Sequence, residues 1–338
     1  MKKVGCAVIG LGFIGSKVHV PSLKGIKKAK IVAVSDVDEK RLKRAAKPPV
    51  KGTTDYHEIL EDPEVDAVWV CLPNFLHGPV TLEALEKGKN VFCEMPLSNS
   101  LDECERIVKV SQQMGKVVVP GATFRWTPNF VKVRELMENG RVGSPTMFYQ
   151  REYIAPSILA AQWPAGSWAW DREKSGGTSF TLSVWAIDLM RWLLQSEVEK
   201  VYASITRHRQ EKYGGITPEN CQFHVTFKNG VRGVFERSEN SPRSLEGSEL
   251  RILYDDNTAV VALDNDVVEL HNEEYEKTTW KFFETGTRVW GHQQLDRHFV
   301  HSLISGTEPA VTAIDGLKAV EVATAMARSA ETGEVIRL

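Results

Sequence analysis

Residues 3–24 read KVGCAVIGLGFIGSKVHVPSLK, and no other stretch restricts the fold so tightly. The continuous apolar run ends at glycines, as a parallel strand covered on both faces does. Gly10, Gly12 and Gly15 follow in GxGxxG spacing and open a helix-like pattern. Each glycine has its own reason. The first permits a tight turn, the second lets a pyrophosphate approach the backbone, and the third lets the helix pack against the strand. The helix N-terminus turns free N–H groups and the positive dipole end toward the phosphates. Gly10, Gly12, Phe13, Ile14 and Gly15 are therefore expected to contact a dinucleotide. Asp36 lies 21 residues after Gly15, at the end of the second strand-like run. A carboxylate there accepts from both ribose hydroxyls and repels a 2′-phosphate, which favours NAD(H) over NADP(H). The alternative is that Asp36 only caps the next turn.

The alternation continues through residue 122. Strand-like AKIVAVSD, VDAVWVCLP, NVFCEMP and KVVVPGA are separated by helix patterns over residues 39–46, 77–88 and 101–114. Such βαβ units with short connections predict a doubly wound parallel sheet, an α/β Rossmann domain over residues 1–122. Beyond it the pattern changes. A helix over 127–143 and an extended run, TMFYQREYI, precede a long amphipathic helix, SFTLSVWAIDLMRWLL. Long alternating runs follow over 198–209, 220–239 and 250–271, with Asn229-Gly230 as a hairpin signal. In QFHVTF, Phe223, Val225 and Phe227 share one face, and Gln222, His224 and Thr226 share the other. Residues 123–338 are thus expected to form an α+β domain on a large, mostly antiparallel open sheet, closed by helices around 292–305 and 315–331.

A formal net charge of −2 argues against broad affinity for nucleic acid or an anionic membrane surface. No segment has the length of a membrane span. Five cysteines, odd in number and without CxxC spacing, suit a reduced cytoplasmic protein, and no metal-ligand spacing is evident. Six of the nine tryptophans fall between residues 126 and 192, as core packing or as the wall of a pocket.

Several features together resemble the glucose–fructose oxidoreductase and inositol 2-dehydrogenase family, Gfo/Idh/MocA. They are GLGFIG, the SD at 35–36, CLPNFLH at 71–77, the E-x-P of 94–96, and SGG at 175–177 before a helix ending IDLMRW. The C-terminal AMARSAETGEVIRL completes the set. The resemblance covers essentially the whole chain. It implies a Rossmann domain binding NAD(P), a C-terminal domain with an open sheet, sugars or cyclitols as substrates, and a homodimer or homotetramer formed through that sheet. It places Pro73, Asn74 and His77 on the nicotinamide side of the cofactor and Glu94 near the nicotinamide ribose; Cys71 and Met95, in the same two motifs, are also expected at the cofactor.

The chain departs from that pattern where protons move. The family commonly has Glu-Lys-Pro, with lysine assisting proton transfer; here the middle residue is Met95. The family's aspartate and histidine after the paired glycines are Thr181 and Trp185 here, and only the following Asp188 is kept. A positioned base contributes about 10²–10⁴-fold to such chemistry, and methionine offers neither base nor charge. Tyr153 and His77 are the replacement acid candidates, each with a packing or capping role as its alternative. Arg125 and Trp126 are expected at the domain cleft. Trp163, Trp168, Trp170, Asp171 and Arg172 form a candidate substrate loop, with Trp185 and Asp188 beside it. The sequence therefore points to an NAD(H)-dependent oxidoreductase of a small, sugar-like hydroxyl or carbonyl compound with an altered proton donor. A noncatalytic NAD-binding partner or sensor, and a non-redox enzyme that retains NAD, are the alternatives.

Overall fold

The opening apolar run forms β1 (Val4–Ile9), every residue of which is buried. The computed structural model describes residues 3–264, 266–274, 276–282 and 290–338. With β1 come β2 (Ala29–Ser35), β3 (Lys51–Thr53), β4 (Ala67–Val70), β5 (Asn90–Cys93) and β6 (Val118–Pro120). They build one parallel sheet in the order β3-β2-β1-β4-β5-β6. The order reverses between β1 and β4, the switch point where doubly wound sheets bind ligands beyond the carboxyl ends of their strands. Ile9 pairs with both Ser35 and Val70. The register thereby sets Gly10, Asp36 and Cys71 side by side along that edge.

Helix Leu101–Met114 matches its sequence signal end to end. Ser100 caps its start through the Glu103 amide, and Gly115 ends it in the left-handed region. Short β3 and the one-turn helix His57–Glu61 carried too few residues for a periodic signal.

A second, nine-stranded sheet contains β7 (Pro145–Tyr153), β8 (Val198–Arg207), β9 (Glu219–Phe227), β10 (Arg232–Ser238), β11 (Gly247–Tyr254), β12 (Ala259–Leu263), β13 (Val267–His271), β14 (Lys277–Lys281) and β15 (Ile336–Arg337). Its order is β14-β13-β12-β11-β7-β10-β9-β8-β15. All neighbours are antiparallel except β7 and β10. Position 265, inside the 250–271 run, lies outside the described residues. Along β9 the alternation is as expected: Phe223, Val225 and Phe227 are buried, while Gln222 and His224 are exposed. Phe223 stacks on Phe235 at 4.4 Å, and Phe148 meets Phe227 and Phe235 edge-on.

The SGG turn acquires a physical meaning here. Gly176 and Gly177 have φ of 81° and 97°, and helix Thr178–Leu194 starts immediately after them. Buried Glu219 accepts from the Ser179 amide at 2.7 Å, and buried Glu239 accepts from the Thr178 hydroxyl at 2.5 Å. Two carboxylates thus face the positive end of the helix.

By contact, the chain divides into Met1–Ala122 with His292–Val320, and Thr123–Gly291 with Glu321–Leu338. The division at 122 coincides with the change of sequence pattern. Residues 292–320, expected in the second domain, pack with the first.

Candidate active site

The glycine turn has the form its spacing demands. Gly10 has φ of +96°, and a Cβ there would lie 2.3 Å from the Cys71 carbonyl oxygen. A Cβ at Gly15 would lie 1.9 Å from the Gly10 carbonyl oxygen. Gly12 is the opposite case. Its Cβ position faces open space, with no heavy atom within 4 Å, so a ligand can reach the backbone there. Phe13 beside it is 59% exposed, and Ile14 is half-buried.

Asp36 is buried. Its Oδ2 accepts from the Leu11 amide at 2.7 Å and its Oδ1 from the Asp38 amide at 2.8 Å. It therefore caps the following turn and also holds the glycine turn in place. A carboxylate has about four acceptor sites, so capacity remains for ribose hydroxyls. Open backbone at Gly12 and a fixed carboxylate at Asp36 fit a dinucleotide.

The most concentrated electrostatics lie one helical turn further on. The helical segment begins as a π-turn, Ile14–His19, a form found frequently at functional positions. His19 is fully buried. Its Nδ1 meets Asp296 Oδ1 at 2.9 Å, and its Nε2 meets Glu94 Oε1 at 2.7 Å. Both ring nitrogens face carboxylates, so both donate and the ring is an imidazolium. Burial alone would lower its pKa. Asp296, and then Glu94, reverse that and carry it to about 10. Burial conversely pushes the Glu94 carboxyl up, but hydrogen bonding and charge from His19 leave it below its usual range. Trp69 Nε1 donates to Asp296 Oδ1 at 2.8 Å, and Phe92 packs edge-on against His19. Helix His292–Ser305 presents His292, Asp296 and Phe299 at i, i+4 and i+7, on one face. His292 Nε2 lies 3.8 Å from Glu94 Oε1.

At the end of β4, Cys71 and Pro73 are half-buried and Asn74 is buried. His77 Nδ1 lies 2.7 Å from the Pro96 carbonyl oxygen and Nε2 2.7 Å from that of Leu72. The ring braces the two loops that follow β4 and β5. Its burial lowers its pKa. It neither begins the helix, which starts at Asn74, nor offers a free nitrogen for proton transfer. Met95 is 3% exposed, and Cys93 is a buried free thiol whose ionisation burial opposes.

Residues 4–122 match the family model described as an oxidoreductase family with an NAD-binding Rossmann fold, and residues 130–260 match the Gfo/Idh/MocA C-terminal domain. The chain belongs to the Gfo/Idh/MocA family. Its Rossmann domain is NAD-binding. Myo-inositol 2-dehydrogenase of Thermotoga maritima is 29% identical over 340 residues, spanning 98% of this chain and 97% of that protein. In structure, myo-inositol 2-dehydrogenase from Lactobacillus plantarum aligns over 100% of both chains at a TM-score of 0.82 and 23% identity. Levoglucosan dehydrogenase, solved with NADH and levoglucosan, aligns over 99% of both chains at 0.88 and 18% identity. The two structural likenesses establish the shared fold.

In the second unit, many of the residues singled out from the sequence have protein partners of their own. Arg125 and Asp188 are both buried and bind one another: Nε to Oδ2 at 2.8 Å and Nη2 to Oδ1 at 2.5 Å. This bidentate pair ties the turn Thr123–Trp126 to helix Thr178–Leu194 instead of presenting charges to a substrate. Trp126 and Trp185 are half-buried. Asp171 caps the short helix Arg172–Ser175 through the Glu173 amide and pairs with Lys174, and Arg172 reaches Glu331 at 3.7 Å. Trp163 meets Trp168 and Trp170 edge-on at 6.0 and 6.4 Å, and Trp170 donates to the Trp163 carbonyl. These three rings, half-buried, pack first on one another. Thr181 donates to the Ser175 carbonyl at 3.0 Å.

Tyr153 is the clearest relocation. Its hydroxyl donates to Glu236 on the sheet's outer face, where Tyr149 and Gln222 also reach that carboxylate. Helix Thr178–Leu194, which carries Thr181, Trp185 and Asp188, packs on the opposite face through Glu219 and Glu239. The structure therefore does not bring Tyr153 together with those residues. The hydrogen bond to Glu236 raises the Tyr153 pKa. Sequence reasoning did not single out His19, Trp69, His292 or Asp296. The one available signal was the spacing of His292, Asp296 and Phe299.

Proposed function

We propose that this chain is an NAD(H)-dependent oxidoreductase of a sugar-like polyol or its carbonyl counterpart, working without a lysine beside the E-x-P glutamate. The observation that carries the reading is the buried Met95 next to Glu94, in a domain whose glycine turn leaves Gly12 open to a pyrophosphate. Oxidising an alcohol requires removal of a hydroxyl proton as well as hydride transfer. Reducing the carbonyl runs through the same transition state in reverse and needs a proton delivered to the nascent alkoxide, so the missing lysine slows both directions. The whole-length likeness to an inositol dehydrogenase supports a polyhydroxylated substrate.

Purified protein is to be assayed in both directions against sugars, inositols and their keto forms, alongside Met95→Lys. Slow turnover in both directions, with the variant gaining about tenfold or more in each, is the expected result for a missing base. Fast inositol oxidation by the unaltered chain would overturn it. A second reading, an NAD-binding subunit without turnover, is favoured by the commitment of the His77 nitrogens and the Tyr153 hydroxyl to other groups. NADH binding with no turnover across the panel would select it. Self-association through the outer face of the nine-stranded sheet, where Met147 and Tyr202 are 50% and 44% exposed, belongs to the same proposal. Light scattering after size exclusion tests it; a monomer would remove it.

A further inference from the structure

We infer that His19, Glu94 and His292 form a divalent-metal site, with Zn²⁺ the ion best matched to two imidazoles and one carboxylate. Among the described residues they are a group whose ligand atoms all lie within 4.8 Å of one another. His19 and Glu94 are buried, and the His292 side chain is 11% exposed, so the donors are not a solvated surface cluster.

The donor set is the first point. Two histidines and a glutamate are the protein ligands of open zinc sites that keep a fourth position for water or substrate. Imidazole donors select borderline first-row ions over Mg²⁺ and Ca²⁺, which prefer oxygen. The outer shell is the second. A ligating histidine almost always donates its other ring N–H to a carboxylate, which fixes the tautomer. His19 does this through Nδ1 to Asp296, at 2.9 and 3.1 Å, and Trp69 Nε1 in turn holds Asp296 at 2.8 Å. Nε2 is left aimed at Glu94.

The third point is charge. Among the groups described around His19, Glu94 and Asp296 are two buried carboxylates, and one imidazolium leaves a net negative charge in a nonpolar surround of Phe92, Trp69 and Phe299. Replacing the Nε2 proton of His19 with a divalent ion makes the group neutral. All three donor pairs must adjust, the two imidazole nitrogens, up to 4.8 Å apart, by the most, about 1.4 Å at the limit. Zinc bonds of about 2.0–2.2 Å in a tetrahedron require His19 Nε2 and Glu94 Oε1, now 2.7 Å apart, to separate slightly. His292 Nε2 and Glu94 Oε1, at 3.8 Å, must draw slightly closer.

The test uses full-length protein with any affinity tag removed, stripped by a chelator and measured without nucleotide. Its outcome is thus independent of NAD binding and turnover. Zn²⁺ is titrated against a chromophoric chelator, and Co²⁺ is titrated while visible absorption is recorded. One Zn²⁺ per chain is expected with a Kd below about 1 µM, together with the strong visible bands of low-coordinate cobalt. His292→Ala and the near-isosteric Glu94→Gln, checked for folding by circular dichroism, should each weaken binding at least about tenfold. Asp296→Asn should weaken it by about 10–100-fold through the outer shell. His57→Ala, at an exposed histidine paired with Asp55, should leave it unchanged. Absence of bound metal, binding that survives His292→Ala, or binding abolished by His57→Ala would each overturn the site.

Discussion

The two units bury charge in different ways. In the second, the cations are arginines. Arg125 pairs with Asp188, and Arg237 lies between Glu152 and Glu239. In the first, Lys89 is buried against the backbone carbonyls of Asp62 and Val65, and the cation buried between carboxylates is an imidazolium, His19, flanked by Glu94 and Asp296. A guanidinium does not deprotonate in a protein, so its pairs are fixtures across the working pH range. An imidazolium can lose its proton or exchange it for a metal. The difference separates ionic contacts that hold structure from a cluster able to change state, and the changeable one stands beside the glycine turn and Met95.

The largest expected effect is in the fixed cluster. Asp188→Ala leaves Arg125 buried without its bidentate partner and should destabilise the second unit by about 3–5 kcal/mol in urea denaturation. A loss under about 1 kcal/mol, as for a surface pair, would break the comparison. Next comes pH. The folded His19 pKa of about 10 stands above its ordinary value of 6.5. Its stabilisation is therefore fully present below about 6.5 and lost as pH rises through about 10. With a chelator present, the first unit of the wild type should lose thermal stability over that window relative to neutral pH. His19→Asn should remove that part of the slope, and an identical slope in the variant would refute the assignment. Trp69→Phe keeps the ring packing but deletes one donor to Asp296, and should cost about 1 kcal/mol. The smallest effect belongs to Tyr153. Because it bonds Glu236 on the outer face, Tyr153→Phe should leave kcat/KM unchanged. A loss of about 10²–10⁴-fold would restore it as a catalytic acid.

Local patterns carried much of the fold. The helix Leu101–Met114 and the hairpin at Asn229-Gly230 are legible because caps, turn residues and periodicity act within a few positions. The second sheet was legible from strict alternation, as in β9. The candidate site was less so. His77 stands in a cofactor-like motif, yet its role depends on two carbonyls, those of Leu72 and Pro96, that converge only after folding. Asp188 and Arg125 each look like a ligand-binding charge until the fold sets them against each other, 63 positions apart.

By itself the sequence determined the Rossmann turn, because Gly10, Gly12 and Gly15 are demanded by backbone geometry within six residues. It also determined that position 95 has no titratable group. Only the tertiary structure decided what surrounds Glu94. His19 and Asp296 are 277 positions apart, and the helix bearing His292 and Asp296 returns to the first unit from near the end of the chain. Hydrogen bonding and Coulomb attraction act over a few ångströms of space, and no local pattern records which distant residues will come that close.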